Sequence, residues 1–460
     1  MNFELRVALY PVGRFTILNR KTNREKMGIE RTEYSQRRER LMAKISTGTA
    51  IFRSAPTAIM HHDVEHVYRQ DSDFFYLTGF EEPEAVAVLA PHHEEHRFVL
   101  FVRPKDPEKE TWTGYRAGVE TAKKLYGADE AYSINELDEK LPQYLIKADR
   151  IYYHLGSDRP FNQRIITHWQ RLMAGYAKRG TGPIAIEDPG PTLHPMRQVK
   201  SAAELEMIRK ATAISATAHN YARELAKPGV YEYELQAEIE RIFRSQGGTG
   251  PAYPSIVASG ENACILHYIE NNRQIQDGDL VLIDAGCCYG NYNGDITRTF
   301  PVSGEFTKEQ KIIYDLVLSA QLKAIEQVKP GNTYNQVHDA AVEVLVEGLK
   351  SLGLLRGNVE KIIQEKKYQP FYMHGTGHWL GLDVHDAGVY RYGEEKENQL
   401  PLQPGHVLTV EPGIYIGPNI QPVKGQPRVP KRWRGIGVRI EDDVLVTEEG
   451  CEILTAAVPK

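Results

Sequence analysis

The chain has 460 residues, which is long for one core and sufficient for two domains, and its 41% hydrophobic and 25% charged residues are typical of globular proteins. Its formal net charge of −5 offers no basic surface for nucleic acid, and no apolar run reaches the roughly 20 residues of a membrane helix. The four cysteines are too few for a disulfide scaffold and include no CxxC pair, so we expect a reduced, cytoplasmic location.

The first residues are mildly basic and lack the apolar core and cleavage site of a secretory signal. Two interpretations stay open: either Met27 is the start of the protein, or residues 1–28 form a disordered extension. Residues 29–192 are predicted to form one α/β domain, because a helical run (ERTEYSQRRERLMAKI) precedes the strand-like runs AVAVLAP, RFVLFVRP and RIYYHLG. The Pro- and Gly-rich stretch EDPGPTLHPMRQVKS marks the predicted boundary.

The remaining residues, 193–460, contain an internal repeat. Capping-box patterns begin helices at Ser201 and Thr307, and both helices are followed by Lys-Pro-Gly and a second, amphipathic helix. In each half a glycine-containing turn then leads through an apolar strand to an acid, which is Asp284 in the first half and Glu411 in the second. The shared order predicts two related helix–helix–strand–strand halves.

Two aspartates accompany the first apolar strand. The stretch LVLIDAGCCYGNYNGDITRTF is interpreted as a hairpin with its loop at Tyr289-Gly290, which puts Asp284 opposite Asp295 on one face. Like charges repel there, and burial costs roughly several kcal/mol for each uncompensated ion.

The second half contains a matching pair of acids, Glu411 and Glu441. Two divalent cations would balance the four carboxylates and remove both penalties. Any single acid could instead be a helix cap, a turn residue or part of a surface salt bridge. These alternatives explain poorly why four acids follow the same pattern behind apolar strands.

Three histidines lie close together in PFYMHGTGHWLGLDVHDAG, namely His374, His378 and His385. The glycines disfavour a helix, so a strand-and-loop segment is predicted. His267, in CILHY, is a fourth candidate at an apolar strand end, for which a structural role is equally open. One imidazole with four carboxylates suits Mn²⁺, Co²⁺, Fe²⁺ or Zn²⁺ better than a thiolate site does. Two such ions about 3.5–4 Å apart can activate water and polarise a carbonyl, so amide hydrolysis is predicted.

Five motifs (HGTGHWLGLDVHD, LVLIDAG, NGDITRTFPV, TVEPGIYI and GVRIEDD) resemble those of the pita-bread peptidases, and of the aminopeptidase P family in particular. YRQDSDFFYLTGFEEPEAVAVL resembles the first domain of that family, so the resemblance runs from about residue 30 to the end. It implies an α/β (α+β) fold with an N-terminal creatinase-like domain and a C-terminal pita-bread metallopeptidase domain with an internal pseudo-two-fold repeat.

The resemblance also implies the activity. A hydroxide bridging two divalent ions, with Mn²⁺ as the expected metal, would release the residue that precedes a penultimate proline. Proline-containing peptides would be the substrates, and the protein would form a dimer or a tetramer. A prolidase restricted to Xaa-Pro dipeptides and a non-catalytic peptide-binding module are the alternatives.

Residue roles follow from the resemblance, not from the spacing. The implied metal ligands are Asp284, Asp295, His378, Glu411 and Glu441. Glu411 would also take the proton from the water, and His267 and His385 would stabilise the tetrahedral intermediate. The implied substrate contacts are His374, Tyr415 and Arg439 around the proline, and Trp112 covering a neighbouring subunit's site. The family's arginine after GVY has no clear counterpart, and whether Arg391 replaces it stays open.

Overall fold

The computed structural model describes residues 28–156, 158–393, 398–421 and 424–460. The predicted extension therefore lies almost entirely outside the described residues. Within the described ranges, no helix combines the length and the apolar character needed to span a bilayer.

The α-helices of the described residues are, in chain order, α1 Arg31–Ile45, α2 Ser72–Thr78, α3 Pro107–Thr113, α4 Gly118–Tyr126, α5 Leu137–Leu145, α6 Arg159–Ala174, α7 Tyr176–Arg179, α8 Gly190–Gln198, α9 Ala202–Leu225, α10 Glu232–Ser245, α11 Lys308–Ile325, α12 Tyr334–Ser351 and α13 Val359–Gln364. The strands are β1 Thr49–Arg53, β2 Ile59–His61, β3 Val64–Glu65, β4 Val86–Leu89, β5 Phe98–Val102, β6 Glu130–Ser133, β7 Arg150–Tyr152, β8 Ala185–Glu187, β9 Gly250–Pro251, β10 Ile256–Ser259, β11 Leu280–Asp284, β12 Cys287–Tyr289, β13 Tyr292–Asn293, β14 Thr297–Pro301, β15 Val407–Val410, β16 Gly413–Ile416, β17 Ile436–Arg439, β18 Asp442–Val446 and β19 Cys451–Ile453.

The N-terminal layer is a six-stranded mixed sheet in the order β6-β5-β4-β1-β7-β8, flanked by α1–α7. The three strand-like runs of the sequence form β4, β5 and β7. Every residue of β4 and β5 is buried, as expected for strands covered on both faces. The predicted α/β class of this layer is therefore confirmed.

The stretch interpreted as a boundary forms a helix, α8, instead of an open linker. Pro191 lies in the first turn, where the N–H that proline lacks has no helical acceptor. Leu193 and Met196 are buried and fix the helix against the N-terminal layer. Because α8 crosses position 192, the proposed limits 29–192 and 193–460 stay a prediction.

The C-terminal half contains the predicted repeat of paired helices. Ser201 and Thr307 cap α9 and α11 with reciprocal capping boxes, because each side chain accepts from the third helical N–H. Lys-Pro-Gly follows both helices, and α10 and α12 come next. Strands β11 and β14 then pair antiparallel in the first half, as β15 and β18 do in the second.

The predicted hairpin register was wrong by two residues. Asp284 lies opposite Thr297, and the turn is centred on Gly290 and Asn291, which have φ angles of 57° and 68°. Two successive positive φ angles are typical of a type I′ turn. The two acids nevertheless lie close together, since the Tyr253 hydroxyl contacts both of them. Asp295 itself lies in the irregular segment before β14, not in a strand.

One apolar core joins the two parts of the molecule. The same cluster of buried side chains includes Leu41 and Leu100 of the N-terminal layer and Ile208, Ile239 and Val281 of the C-terminal half. The two layers are therefore packed against each other through apolar side chains, and they are not joined by a linker alone.

Candidate metal centre

Four acids from the two halves converge at the ends of their strands. Asp284 ends β11 and Glu411 directly follows β15, while Asp295 and Glu441 come shortly before β14 and β18. Asp284, Asp295 and Glu441 are at most 9% exposed. Asp295, Glu441 and His378 each offer a ligand atom within 4.8 Å of the others.

Backbone contacts between the halves hold these acids together. The Glu441 N–H donates to the Thr297 carbonyl (3.0 Å), and the Thr297 hydroxyl donates to Glu441 Oε2 (2.6 Å). His378 is fixed beside Glu411 in the same manner, because the His378 N–H donates to the Thr409 hydroxyl (3.1 Å). The Thr409 N–H returns a bond to the His378 carbonyl (2.9 Å).

Two glycines permit this close approach. A Cβ atom on Gly377 would lie 1.9 Å from the Thr409 carbonyl oxygen, and one on Gly286 would lie 1.7 Å from that of Gly294. Any side chain at either position would push apart the segments that carry the acids and His378.

The protonation of these buried groups indicates that a cation belongs among them. Burial raises the pKa of Glu411 to about 7 and that of Glu441 well above its usual value, and the neighbouring acids raise the pKa of Glu441 further. Burial also raises the pKa of Asp284, although Arg439 opposes the shift. Burial alone would lower the pKa of His378, but Asp295 and Glu411 outweigh it and raise the value to about 9. Protons thus supply the positive charge that divalent ions would otherwise supply, so the donor set fits such ions.

His378 lies between two of the acids. Its Nε2 is 3.4 Å from Asp295 Oδ2 and 3.6 Å from Glu411 Oε1. Its Nδ1 is 3.0 Å from the Trp379 carbonyl oxygen, which can hold the Nδ1–H tautomer and leave Nε2 free to coordinate.

Tyr253 is a site residue that sequence reasoning missed. Its hydroxyl is 2.7 Å from Asp284 Oδ1 and 2.5 Å from Asp295 Oδ1. Burial and these two carboxylates raise its pKa well above the usual value, so the hydroxyl keeps its proton. The stretch AYPS around it has no periodicity or motif that would have indicated this contact.

A hydrogen-bond chain leads away from Asp284. Arg439 donates to Asp284 Oδ2 (2.6 Å) and to the Tyr415 oxygen (3.1 Å). The Tyr415 hydroxyl lies 2.8 Å from His374 Nε2, and His374 Nδ1 lies 2.7 Å from the Gly375 carbonyl. Burial lowers the pKa of His374 to about 4, so His374 is neutral and can accept from Tyr415. The Arg439 guanidinium therefore orients the carboxylate of Asp284.

His385 and His267 lie at the open side of the site. The rings of His385 and His378 have centroids 4.3 Å apart and are nearly perpendicular. His267 lies in an exposed turn after a short 3₁₀ helix, so its predicted place at a strand end was wrong. It is close enough for its charge to lower the pKa values of both His374 and His385.

Two predicted substrate contacts are not joined to this cluster. Trp112 is 85% exposed on α3 and has no ring contact among the described residues. Arg391 is exposed and forms an isolated bridge with Gln399. The role of Trp112 stays a prediction, and whether Arg391 replaces the family's arginine stays open.

A mixed α/β chain whose two halves contribute buried acids and an imidazole to one cluster has the architecture of a metal-dependent hydrolase. The profile of "Metallopeptidase family M24" matches residues 206–448, and that of "Aminopeptidase P, N-terminal domain" matches residues 34–152. The chain therefore belongs to the M24 metallopeptidases, among those that carry the aminopeptidase P N-terminal domain.

Within this family, the chain is similar to Xaa-Pro aminopeptidases and to a solved aminopeptidase structure. The chain is 44% identical to the Xaa-Pro aminopeptidase of Escherichia coli K12, over 94% of this chain and 96% of that protein. It is 34% identical to Xaa-Pro aminopeptidase 3 of Homo sapiens, over 94% of this chain and 85% of that protein. The aminopeptidase PepP of Pseudomonas aeruginosa superposes with a TM-score of 0.89 at 49% identity, covering 94% and 96% of the two chains.

A solved structure also contains a metal. Zn-substituted E. coli aminopeptidase P in complex with product superposes with a TM-score of 0.88 at 43% identity, covering 94% of this chain and 96% of that one. The predicted pita-bread fold, the peptidase class and the dependence on a divalent metal are thus confirmed.

Proposed function

We propose that the chain hydrolyses the first peptide bond of substrates with a penultimate proline and releases the residue before that proline. The convergence of five metal-type donors from both halves of the repeat carries this proposal. The family membership and the 44% identity to an Xaa-Pro aminopeptidase support its specificity.

Two divalent ions per chain, with Mn²⁺ as the expected metal, are the cofactors of this proposal. Their ligands would be Asp284, Asp295, His378, Glu411 and Glu441. When bound, such ions lower the pKa of a water molecule and polarise the scissile carbonyl. Four carboxylates with one imidazole form a hard donor set that suits Mn²⁺.

Glu411 would move the proton of the reaction. A carboxylate at this position can both accept a proton from water and return it to the leaving amine. The Thr409 hydroxyl lies 3.5 Å from Glu411 Oε1 and helps to orient the carboxylate toward His378.

His267 and His385 would stabilise the charge that develops on the carbonyl oxygen. Burial and the nearby imidazole of His378 lower the pKa of His385, so His385 is neutral at pH 7 and can donate from one nitrogen. A preoriented neutral donor stabilises an oxyanion without a large reorganisation of its surroundings.

The proline pocket would be formed by His374, Tyr415 and Arg439. An Xaa-Pro bond has no N–H, so its pocket needs no acceptor at that position. The polar atoms of these three side chains are bonded to one another, to Asp284 and to the Gly375 carbonyl. Their rings and aliphatic parts are therefore available as walls.

The deciding experiment is a cleavage panel on metal-free protein reconstituted separately with Mn²⁺, Co²⁺, Fe²⁺ and Zn²⁺. We expect cleavage of Xaa-Pro-Yaa tripeptides, with the highest rate in Mn²⁺, and no cleavage of Xaa-Ala-Yaa. Cleavage of Xaa-Pro dipeptides alone would replace the proposal by a prolidase. If no peptide is cleaved with any of the four metals, the proposal is rejected in favour of a non-catalytic peptide-binding module.

The proposed cellular state is a cytoplasmic dimer or tetramer. All four cysteines are free, which is consistent with a reducing compartment. Trp112 and Tyr115 are 85% and 96% exposed, so a neighbouring subunit can cover them, as proposed for Trp112. Light scattering of purified protein should give two or four chains, and a monomer would reject the assembly.

A further inference from the structure

The motif YRQDSDFF of the N-terminal layer has no role in the chemistry proposed above, yet two of its side chains contact the catalytic half. The Arg69 guanidinium donates to the carbonyl oxygen of Leu382 and to Asn291 Oδ1, the latter at 2.7 Å. The Ser72 hydroxyl donates to Asp383 Oδ1 at 2.7 Å. Leu382 and Asp383 lie in the loop that carries His385.

Two cations that follow the N-terminal layer, Arg197 and Lys200, bind acids of the same loop. Arg197 donates to Asp383 Oδ2 (2.8 Å) and to Asp386 Oδ1 (2.5 Å), and it also donates to Asp73 Oδ1 (2.7 Å). Lys200 donates to Asp386 Oδ2 at 2.9 Å. The side chains of Arg197, Lys200 and Asp386 are at most 4% exposed, so these bonds are little screened by solvent.

Three cations and three acids meet in this contact, and His194 Nε2 also lies 3.2 Å from Asp73 Oδ2. Arg69, Arg197 and Lys200 are the cations, and Asp73, Asp383 and Asp386 are the anions. The bonds among Arg197, Lys200 and Asp386 are buried, whereas the side chains of Arg69 and Asp383 are 41% and 45% exposed. A buried ion network adds little stability compared with apolar packing, but its charge-assisted bonds fix the geometry of the groups that they join.

His385 lies between two of the anchored acids. The Asp386 N–H also bonds to the Trp379 carbonyl (2.8 Å), which closes the loop. The Asn293 side chain, two residues before Asp295, donates to the Leu382 carbonyl at 2.8 Å. The loop is therefore fixed both to the N-terminal layer and to the segment of a proposed metal ligand.

We propose that Arg69, Ser72, Arg197 and Lys200 form an interdomain clamp that positions His385 over the metal centre. The clamp residues are positioning residues, because they act on the reaction through His385. The inference rests on the proposed function, since His385 is given its role there. A displacement of about 1 Å of a group that contacts the transition state can cost about 100-fold in rate.

The test is a set of double-mutant cycles with His385→Ala. Ser72→Ala removes the one bond to Asp383, and Arg69→Gln removes the bonds of the guanidinium to Leu382 and Asn291; each variant retains the other bonds of the clamp. Each should lower kcat for an Xaa-Pro-Yaa peptide by about 10-fold, with little change in metal content or Tm. In the His385→Ala background the same substitutions should cause no further loss. In a His267→Ala background their full effect should remain, because the clamp residues have no bond to His267.

Arg103→Gln is the matched control. Arg103 also lies in the N-terminal layer and pairs with Glu82 at 3.2 Å, within that layer. We expect its kcat to equal that of the wild type. If the losses from Ser72→Ala and Arg69→Gln persist unchanged in His385→Ala, or if neither variant lowers kcat, the clamp is rejected.

A measurement without catalysis separates the clamp from the proposed function. Amide hydrogen exchange of residues 379–387 in metal-free protein should be faster in Arg69→Gln and Ser72→Ala than in the wild type, and unchanged in Arg103→Gln. A wild type that cleaves no peptide would reject the proposed function, whereas unchanged exchange in both clamp variants would reject the clamp. If Arg69→Gln fails to fold, the exchange and kcat of Ser72→Ala alone test the clamp, because this substitution removes only one oxygen atom.

Discussion

Glu411 and His378 lie next to each other, and in metal-free protein their pKa values are about 7 and about 9. The pKa of each group depends on the charge of the other. A proton between an imidazole and several carboxylates is a weak substitute for a divalent ion, because it leaves most of the mutual repulsion in place. The strongest electrostatic strain in the site is thus present only without metal.

This strain predicts how the stability of the metal-free protein depends on pH. His378 is charged below its ordinary pKa of 6.5 in both states, and its stabilising charge is lost as the pH rises through about 9. The raised pKa of Glu411 changes stability with the same sign but at lower pH, because its loss falls between the ordinary value of 4.5 and about 7 and is constant above that. Buried neutral histidines such as His374 do not compensate in this range, because they are uncharged in both states above 6.5.

We therefore expect the Tm of metal-free protein to fall by roughly 5 °C between pH 6.5 and pH 9. Protein loaded with Mn²⁺ should show a much smaller fall, because the cation replaces the proton. Differential scanning fluorimetry at several pH values, with and without metal, measures both curves. Parallel curves would show that the acids and His378 do not share a metal.

Tyr253 provides a second test at the scale of single residues, because its hydroxyl contacts two of the proposed metal ligands. Removing its hydroxyl in Tyr253→Phe leaves Asp284 and Asp295 without their shared donor, so Mn²⁺ affinity should fall about 10-fold. Titration calorimetry measures the change. Tyr268→Phe is the control, since its buried hydroxyl bonds to Glu232 Oε2 (2.8 Å) in another part of the half. Equal affinities in wild type and Tyr253→Phe would show that the hydroxyl does not orient the ligands.

The four acids could be singled out from the sequence because acids behind apolar strands are a local pattern, whereas the choice of His378 among the clustered histidines came from the family resemblance. Tyr253 and Thr297 could not be predicted, because they reach the acids only through tertiary contacts. Arg439 was predicted as a pocket residue, but its bond to Asp284 depends on the packing of β17 against β11, which no local pattern records.

At the scale of elements, the close approach of His378 to β15 depends on a glycine. In Gly377→Ala the new Cβ would lie 1.9 Å from the Thr409 carbonyl, so the two segments must separate. We expect a loss of about 2 kcal/mol in the free energy of unfolding and weaker metal binding, because His378 moves with its backbone.

Chemical denaturation and metal titration of this variant measure the two effects. Gly417→Ala is the matched control, because no heavy atom lies within 4 Å of its added Cβ. If Gly377→Ala binds metal as tightly as the control does, His378 does not need its present position.

The helices were easier to predict than the hairpin register. Capping boxes at Ser201 and Thr307 are written in four consecutive residues, and both helices begin where the pattern indicates. The register depends on which two residues form the turn, and moving the turn from Tyr289-Gly290 to Gly290-Asn291 shifts the strand pairing by two residues. For α8, the proline and glycine content predicted a domain boundary and not a helix, because the burial of Leu193 and Met196 is not visible in the sequence.

At the scale of the whole molecule, the continuous apolar core predicts cooperative unfolding. Side chains from both layers belong to one cluster, so exposing one layer also exposes apolar surface of the other. Calorimetry of metal-free protein should therefore show one transition. Two resolved transitions would indicate that the N-terminal layer unfolds independently, and the clamp would then be the main connection.

The sequence predicted two parts but not how they meet. The bond from Arg69 to the Leu382 carbonyl joins residues 313 positions apart, and the bond from Arg197 to Asp386 spans 189 positions. Contacts at such separations leave no periodic trace in a single sequence. The resemblance of YRQDSDFF to a known family indicated the domain and gave no reason for its polar residues.

The central claim is that acids of both halves and His378 hold divalent ions. Anomalous diffraction from crystals soaked in Mn²⁺ tests it most directly. We expect two peaks about 3.5–4 Å apart, within coordination distance of Asp284, Asp295, His378, Glu411 and Glu441. Crystals that diffract well and show no anomalous peak among these five side chains would contradict it.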